Sequence, residues 1–154
     1  MSGTLEISNV SKTYDAGGEN PVKALDNVSL TVDQGEFVSI IGPSGCGKST
    51  LFNVIGGLIP DYTGQVTIDG HRIDGTHRDV GVVFQEESTF PWRTTLNNVA
   101  FPLEVQGMAK EAREAKAREF IKLVGLEGFE NHFPAQLSGG MKQRTAVART
   151  LAYE

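Results

Sequence analysis

The chain has 154 residues, and its 14 lysines and arginines against 19 aspartates and glutamates give a formal net charge of −5. This acidic balance argues against a nucleic-acid-binding protein, because neutralising a phosphate backbone requires clustered cations. Hydrophobic residues make up 39% and charged residues 21%, as in a folded globular protein, while the single cysteine excludes an internal disulfide. No apolar stretch approaches the length that spans a bilayer.

The first half of the chain contains several strand patterns. Apolar residues alternate over 5–10 and 28–32, which predicts two half-buried strands that pair antiparallel. The nearly continuous apolar run 37–41 predicts a strand buried on both faces of a parallel sheet. Further strands are predicted at 66–68 and 80–84.

Helical patterns begin after the third of these strands. Residues 49–58 predict a helix, and its expected packed face consists of Leu51, Phe52, Ile55 and Leu58. The mixed pattern over 95–104 favours a second helix that ends near Gly107. Residues 110–124 form an amphipathic pattern with a solvated charged face and Gly125 as its C-terminal cap. A last helix is predicted over 139–153.

A glycine-rich loop joins the predicted strand 37–41 to the first helix. Its sequence GPSGCGKS matches the phosphate-binding pattern GxxxxGK[ST], because glycines let backbone N–H groups approach a phosphate chain at a helix N-terminus. Lys48 would reach the β- and γ-phosphates, and the Ser49 hydroxyl would hold Mg²⁺. Cys46 is interpreted as a small residue that fits the loop, since no general base adjoins it. The predicted ATP-binding residues here are Gly42, Pro43, Ser44, Gly45, Cys46, Gly47, Lys48, Ser49 and Thr50.

A second helix start of this kind follows Leu137. The sequence LSGGMKQR places a serine and two glycines at the beginning of the last predicted helix, where free N–H groups can bind an anion. The alternative is an ordinary helix start with Ser138 as its N-cap.

Together, GPSGCGKST and LSGGMKQR resemble the ATPase subunits of ABC transporters, and the resemblance covers the whole chain. It implies an α/β fold with a P-loop NTPase (RecA-like) core, N-terminal antiparallel strands and a helical insertion subdomain. The core would comprise 1–85 and 136–154, and the subdomain 86–135. The resemblance also implies that Tyr14 stacks on adenine and that Gln85, in VFQ, contacts Mg²⁺ and the attacking water.

In that family, two subunits close head to tail on two ATP molecules, and the signature of each subunit, which is LSGG at 137–140 here, faces the ATP of its partner. The residues that would act on the partner's nucleotide are Leu137, Ser138, Gly139, Gly140 and Gln143. The implied function is therefore ATP binding, dimerisation and hydrolysis that power a membrane importer, with ATP and Mg²⁺ as cofactors. A non-hydrolysing nucleotide-binding or dimerisation fragment and a soluble non-transport ABC ATPase are the alternatives.

The subfamily resemblance lies in two segments. Phe90–Thr94 and Asn98–Glu104 are similar to importers of the nitrate, sulfonate and taurine class. That likeness implies a second copy and transmembrane permease subunits as partners, at the cytoplasmic face of the plasma membrane. An exposed Trp92 would anchor the permease, although it is equally compatible with a turn that carries a packing aromatic.

The chain departs from the family pattern after the signature. The family continues there to a strand ending in aspartate, a catalytic glutamate and a switch histidine, so we expect these residues to be the N-terminal portion of a longer ATPase. No general base is found in the chain: Glu86 and Glu87 follow Gln85, where the family does not place it. Lys48 and Gln85 are the remaining candidates for catalytic roles. Without the strand that the family places after the signature, the predicted strand 37–41 would have no neighbour on one side and would expose an apolar sheet edge.

No metal is assigned to His71, His77 and His132.

Overall fold

The structure is a computed structural model that describes residues 3–77, 80–85 and 88–153. It divides the chain into two compact units, Met1–Val80 and Gly81–Glu154, which are described separately below. The assignment of 1–85 and 136–154 to a core and 86–135 to a subdomain stays a prediction.

The first unit is built on a four-stranded sheet with the strand order β2-β1-β3-β4. Its strands are β1 (Leu5–Tyr14), β2 (Val22–Val32), β3 (Thr63–Ile68) and β4 (His71–Arg72). All neighbours pair antiparallel, and Ile7 lies opposite Leu30 on one side and Val66 on the other. This pairing confirms the antiparallel arrangement of the first two strands and the strand predicted at 66–68. The buried core consists of Ile7, Val10, Leu25, Leu51, Val54, Val66 and Ile73.

Helix α1 (Lys48–Ile55) packs on this core, but not on the face predicted for it. It buries Leu51 and Val54, whereas Phe52 and Leu58 are exposed. The buried pair is spaced i, i+3, so the packed stripe is rotated away from Phe52. The helix ends before Gly56, which leaves Leu58 in the following turn. The predicted face was therefore wrong at both positions.

The two apolar runs 37–41 and 80–84 were predicted as strands, and this prediction was wrong. Among the described residues, neither run pairs with a strand, and Phe37 and Ile41 are 91% and 93% exposed. A strand is stabilised by backbone hydrogen bonds to a neighbour. Apolar composition alone therefore cannot form one where the described chain offers no pairing partner.

The second unit is helical. It contains α2 (Thr95–Val99), α3 (Phe101–Val105), α4 (Lys110–Leu123), a 3-10 turn (Pro134–Gln136) and α5 (Gly139–Leu151). These elements pack around a buried cluster of Leu96, Val99, Ala100, Leu103, Ala117, Ile121, Leu126, Ala148 and Ala152. No helix of the described chain combines the length and the apolar character that crossing a membrane would require.

The helix predicted over 95–104 is interrupted once. Pro102 stands in the first turn of α3, and it has no N–H that could donate to the Asn98 carbonyl, so the helix restarts after Ala100. The prediction for α4 is confirmed, because Ala117 and Ile121 are buried and Gly125 follows the helix with a φ of +67°. The start of α5 is confirmed as well, and its end lies at Leu151.

Candidate functional site

The glycine-rich loop before α1 has a backbone that side chains would obstruct. Gly45 and Gly47 have φ values of +80° and +96°, and Gly47 is the N-cap of α1. A Cβ atom on Gly47 would lie 2.2 Å from the Ala24 carbonyl oxygen of β2, which no side chain can accept. Glycine at this position therefore lets α1 begin directly against the sheet, with its first N–H groups facing the loop.

The Lys48 ammonium lies inside the loop. Its Nζ donates to the Gly42 and Pro43 carbonyl oxygens, each at 2.7 Å, and lies 3.5 Å from the Cys46 Sγ. The surrounding loop is exposed, as is Ser49 in the first turn of α1. An exposed, side-chain-poor loop with a central ammonium at a helix N-terminus fits a phosphate chain, and the nearby Ser49 hydroxyl is a suitable oxygen donor for Mg²⁺.

Tyr14 lies next to this loop. Its hydroxyl is 3.4 Å from the Thr50 hydroxyl, and the side chain is 41% exposed. The structure thus brings together two residues that stand far apart in the sequence and that were both predicted to bind ATP. A residue that sequence reasoning missed also contacts the ring: the Lys12 ammonium lies 4.9 Å from its centroid.

The second unit has a cavity of about 290 Å³ at the start of α5. Its lining residues are Phe84, Gln85, Ser88, Gly139, Lys142, Gln143 and Ala146. Gln85 therefore shares a cavity with Gly139 and Gln143, two of the residues predicted to act on a partner's nucleotide. Glu86 and Glu87 lie outside the described residues.

The start of α5 presents open backbone. The Ser138 hydroxyl accepts a hydrogen bond from the Met141 N–H at 3.4 Å, which is the N-cap alternative considered above. Apart from their chain neighbours and the backbone of α5 itself, added Cβ atoms on Gly139 or Gly140 would meet no described atom within 4 Å, so a ligand can approach both residues. Leu137 is buried and fixes the turn before the helix. Capping by Ser138 and binding of an external anion are therefore compatible.

Trp92 projects from a loop that is held in place by one buried side chain. Trp92 is 72% exposed, whereas Asn98 in α2 is fully buried. The Asn98 side chain accepts from the Phe90 N–H at 2.7 Å and donates to the carbonyl oxygens of Phe90, Arg93 and Thr94. Trp92 therefore stands on an ordered loop rather than in the core. Sequence reasoning missed this role of Asn98, since nothing local distinguishes it from the exposed Asn97.

Replacing Asn98 by alanine is expected to release the loop around Trp92 and to lower the free energy of unfolding by about 1–3 kcal/mol, since buried backbone groups lose their partner. Trp92 is the only tryptophan, so its fluorescence anisotropy and quenching by acrylamide report on the loop directly. The matched control is Asn97→Ala, an exposed neighbour in the same helix. Equal changes in both variants would contradict the role assigned to Asn98.

Comparisons with known proteins agree with this geometry. The family model described as ABC transporter matches residues 25–154. The chain is 51% identical over 152 residues to the ABC transporter ATP-binding protein MJ0412 of Methanocaldococcus jannaschii, covering 99% of this chain and 57% of that protein. It is 46% identical over 143 residues to the taurine import ATP-binding protein TauB of Burkholderia pseudomallei, covering 93% and 55%. The chain thus spans slightly more than half the length of these curated relatives.

Solved structures show the same similarity. The dimeric structure of MJ0796, a bacterial ABC transporter cassette, matches with a TM-score of 0.87 and 44% identity over 97% of this chain and 69% of that one. A post-hydrolysis state of the same cassette, bound to ADP and Pi, matches with a TM-score of 0.86, 44% identity and the same coverage. The fold is therefore that of an ABC ATPase cassette, as the sequence predicted.

Proposed function

This chain belongs to the ABC transporter family, and we propose that it is the ATP-binding part of an ATPase subunit that powers a membrane importer. The observation that carries the proposal is the loop before α1, in which the Lys48 ammonium is held within a glycine-rich backbone at a helix N-terminus. The importer class is supported by the similarity to TauB, whose name assigns it to taurine import.

Each residue of the ATP site has a separate task in this proposal. Lys48 neutralises charge on the β- and γ-phosphates, and the N–H groups at the start of α1 donate to them. The Ser49 hydroxyl would hold Mg²⁺, which when bound would neutralise phosphate charge, and the family resemblance alone adds Gln85 as a second ligand. Tyr14 offers its ring to the adenine base. By the same resemblance Gln85 would orient the attacking water, and in the family a glutamate after the signature acts as the general base.

We further propose that a second copy binds head to tail and that the start of α5 faces its nucleotide. Support comes from the open backbone at Gly139 and Gly140 and from the dimeric structure of the similar cassette. Free N–H groups at a helix N-terminus would donate to the γ-phosphate held by the partner. The residues proposed to act on the partner's nucleotide are Leu137, Ser138, Gly139, Gly140 and Gln143, of which the buried Leu137 acts through the turn that it fixes.

The proposed permease contact is the loop that carries Trp92. An exposed tryptophan on an ordered loop loses little conformational entropy on binding, which favours it as an interface anchor. The subunit would then work at the cytoplasmic face of the plasma membrane. There, closure of the dimer on ATP would drive a conformational change in the permease through this loop.

ATP-dependent dimerisation tests this proposal. We expect Ser138→Ala to leave the ATP affinity of the monomer unchanged and to weaken ATP-dependent dimerisation about ten- to a hundredfold, because one hydrogen bond to a phosphate is worth about 1.5–3 kcal/mol. Sedimentation velocity with and without ATP measures the dimer, and isothermal titration calorimetry measures monomer affinity.

The control for Ser138→Ala is Thr94→Ala, which removes the N-cap of α2 in the same unit but leaves the signature intact. Both variants lose a helix cap, worth about 1 kcal/mol of stability. Only Ser138→Ala should impair dimerisation. Equal loss of dimerisation in the two variants would mean that cap removal alone is responsible.

A further inference from the structure

We propose that Lys12 is a positioning residue for the nucleotide base: its buried ammonium holds the Tyr14 ring in the orientation that stacks on adenine. This inference rests on the proposed ATP site and concerns residues, Lys12 and Asp61, that the phosphate-binding motifs do not include.

Lys12 is unusual because its charge is almost completely buried. It lies in β1 with 5% exposure, and its Nζ donates to the Asp61 backbone carbonyl at 2.8 Å and forms an ion pair with the Asp61 carboxylate. The hydrogen bond from Lys12 lowers the pKa of the Asp61 carboxyl below its usual range, so this carboxylate is charged at neutral pH. A buried ammonium is costly unless paired. Asp61 therefore anchors Lys12 in one position.

The anchored ammonium touches the Tyr14 ring. The Lys12 Nζ lies 4.9 Å from the ring centroid, within the range of a cation–π interaction, and the Tyr14 hydroxyl lies 3.4 Å from the Thr50 hydroxyl. The ring is thus held at its face by Lys12 and at its rim by a residue of α1, next to the phosphate-binding loop. These two contacts set both the tilt of the ring and its distance from the loop.

The arrangement leaves part of the ring accessible to a ligand. Tyr14 is 41% exposed, whereas Lys12 is 5% exposed, so Lys12 contacts the ring from the buried side and does not cover its solvent-exposed surface. A ring that is already oriented loses less rotamer freedom when a base stacks on it. Lys12 should therefore raise the affinity for nucleotides through the base without contacting the phosphates.

If Lys12 acts only through the base, its replacement should lower the affinity for ATP more than the affinity for inorganic tripolyphosphate, which has the phosphates but no base. Lys12→Met keeps an unbranched side chain that is one heavy atom shorter and removes the charge, and the exposed Asp61 carboxylate that it leaves behind stays solvated. We expect this variant to bind ATP about five- to tenfold more weakly, because cation–π contacts and base stacking contribute at this level. Inorganic tripolyphosphate, which lacks a base, should bind within about twofold of the wild type, as no phosphate contact is changed.

The rescue variant is Lys12→Arg, which retains the cation over the ring and should restore ATP affinity to within about twofold. Tyr14→Ala should weaken ATP at least as much as Lys12→Met and also spare tripolyphosphate. Lys23→Met is the control for loss of a lysine, because Lys23 forms an exposed ion pair with Asp26 in the same unit. Calorimetry gives both affinities for each variant, and urea unfolding shows which variants are folded.

The outcomes separate the two proposals. Unchanged ATP affinity in Lys12→Met, or an equal loss of ATP and tripolyphosphate affinity, overturns the role of Lys12 and leaves the ATP site intact. If the folded wild type binds neither ligand, the proposed ATP site itself is wrong, and the role of Lys12 with it. A selective loss for ATP that Lys12→Arg restores supports the inference.

Discussion

Replacing Lys48 by alanine is expected to weaken ATP binding about a hundredfold while leaving the stability of the free protein nearly unchanged. In the free protein the ammonium donates to the Gly42 and Pro43 carbonyl oxygens at 2.7 Å. Both residues are exposed, so water replaces the lysine in the variant at little cost. The β- and γ-phosphates, in contrast, lose the only side-chain charge that the motif places among them.

Isothermal titration calorimetry with Mg-ATP measures this loss, and urea unfolding measures the stability. The control is Lys110→Ala, which removes an exposed lysine paired with Glu114 at 3.9 Å in the second unit and should change neither quantity. Unchanged ATP affinity in Lys48→Ala would place the nucleotide elsewhere.

The same variant serves as the inactive control for ATP hydrolysis. Turnover by the wild type above that of Lys48→Ala would contradict the view that hydrolysis needs a general base after the signature.

The features that were predictable from sequence depend on neighbouring residues. The alternation over 5–10 and 28–32 identified an antiparallel pair, because one side of each strand faces the core. The serine before two glycines identified the start of α5, because a capping hydroxyl acts within three residues. The loop at Gly42 was recognised in the same way, since its chemistry requires a fixed local order of glycine, lysine and serine.

The features that were missed depend on residues far away in the chain. The run 37–41 has the composition of a buried strand, but composition does not show whether a neighbour is present to pair with it. The Asn98 side chain acquires its role only when the loop at Phe90 folds back on α2.

The position of Lys12 in the sequence indicates that it is buried. It continues the buried alternation of β1 two residues after Val10, yet lysine at such a position is normally taken as exposed. Its burial depends on Asp61, which lies 49 residues away. A charged residue in phase with a buried set is therefore a reason to look for a distant partner.

The largest loss of stability is expected from Gly47→Ala. The substitution meets two obstacles: a φ of +96°, and a Cβ atom only 2.2 Å from the Ala24 carbonyl oxygen. Left-handed backbone costs a non-glycine residue about 1–2 kcal/mol, and relieving the overlap forces α1 and β2 apart, so the total should reach about 3 kcal/mol or more. For a chain of this size that lowers the melting temperature by roughly 6–12 °C.

Gly45→Ala separates the two causes. Gly45 lies in the same loop with a φ of +80°, but a Cβ atom there would meet no described atom within 4 Å apart from its chain neighbours. This variant should therefore lose only the strain contribution, about 1–2 kcal/mol. Thermal unfolding of both variants, with and without Mg-ATP, provides the comparison. Gly45 and Gly47 both belong to the proposed phosphate-binding loop, so Mg-ATP should raise the melting temperature of both variants less than that of the wild type. Equal losses in the two variants would assign the requirement at Gly47 to backbone strain and not to the packing of α1 against β2.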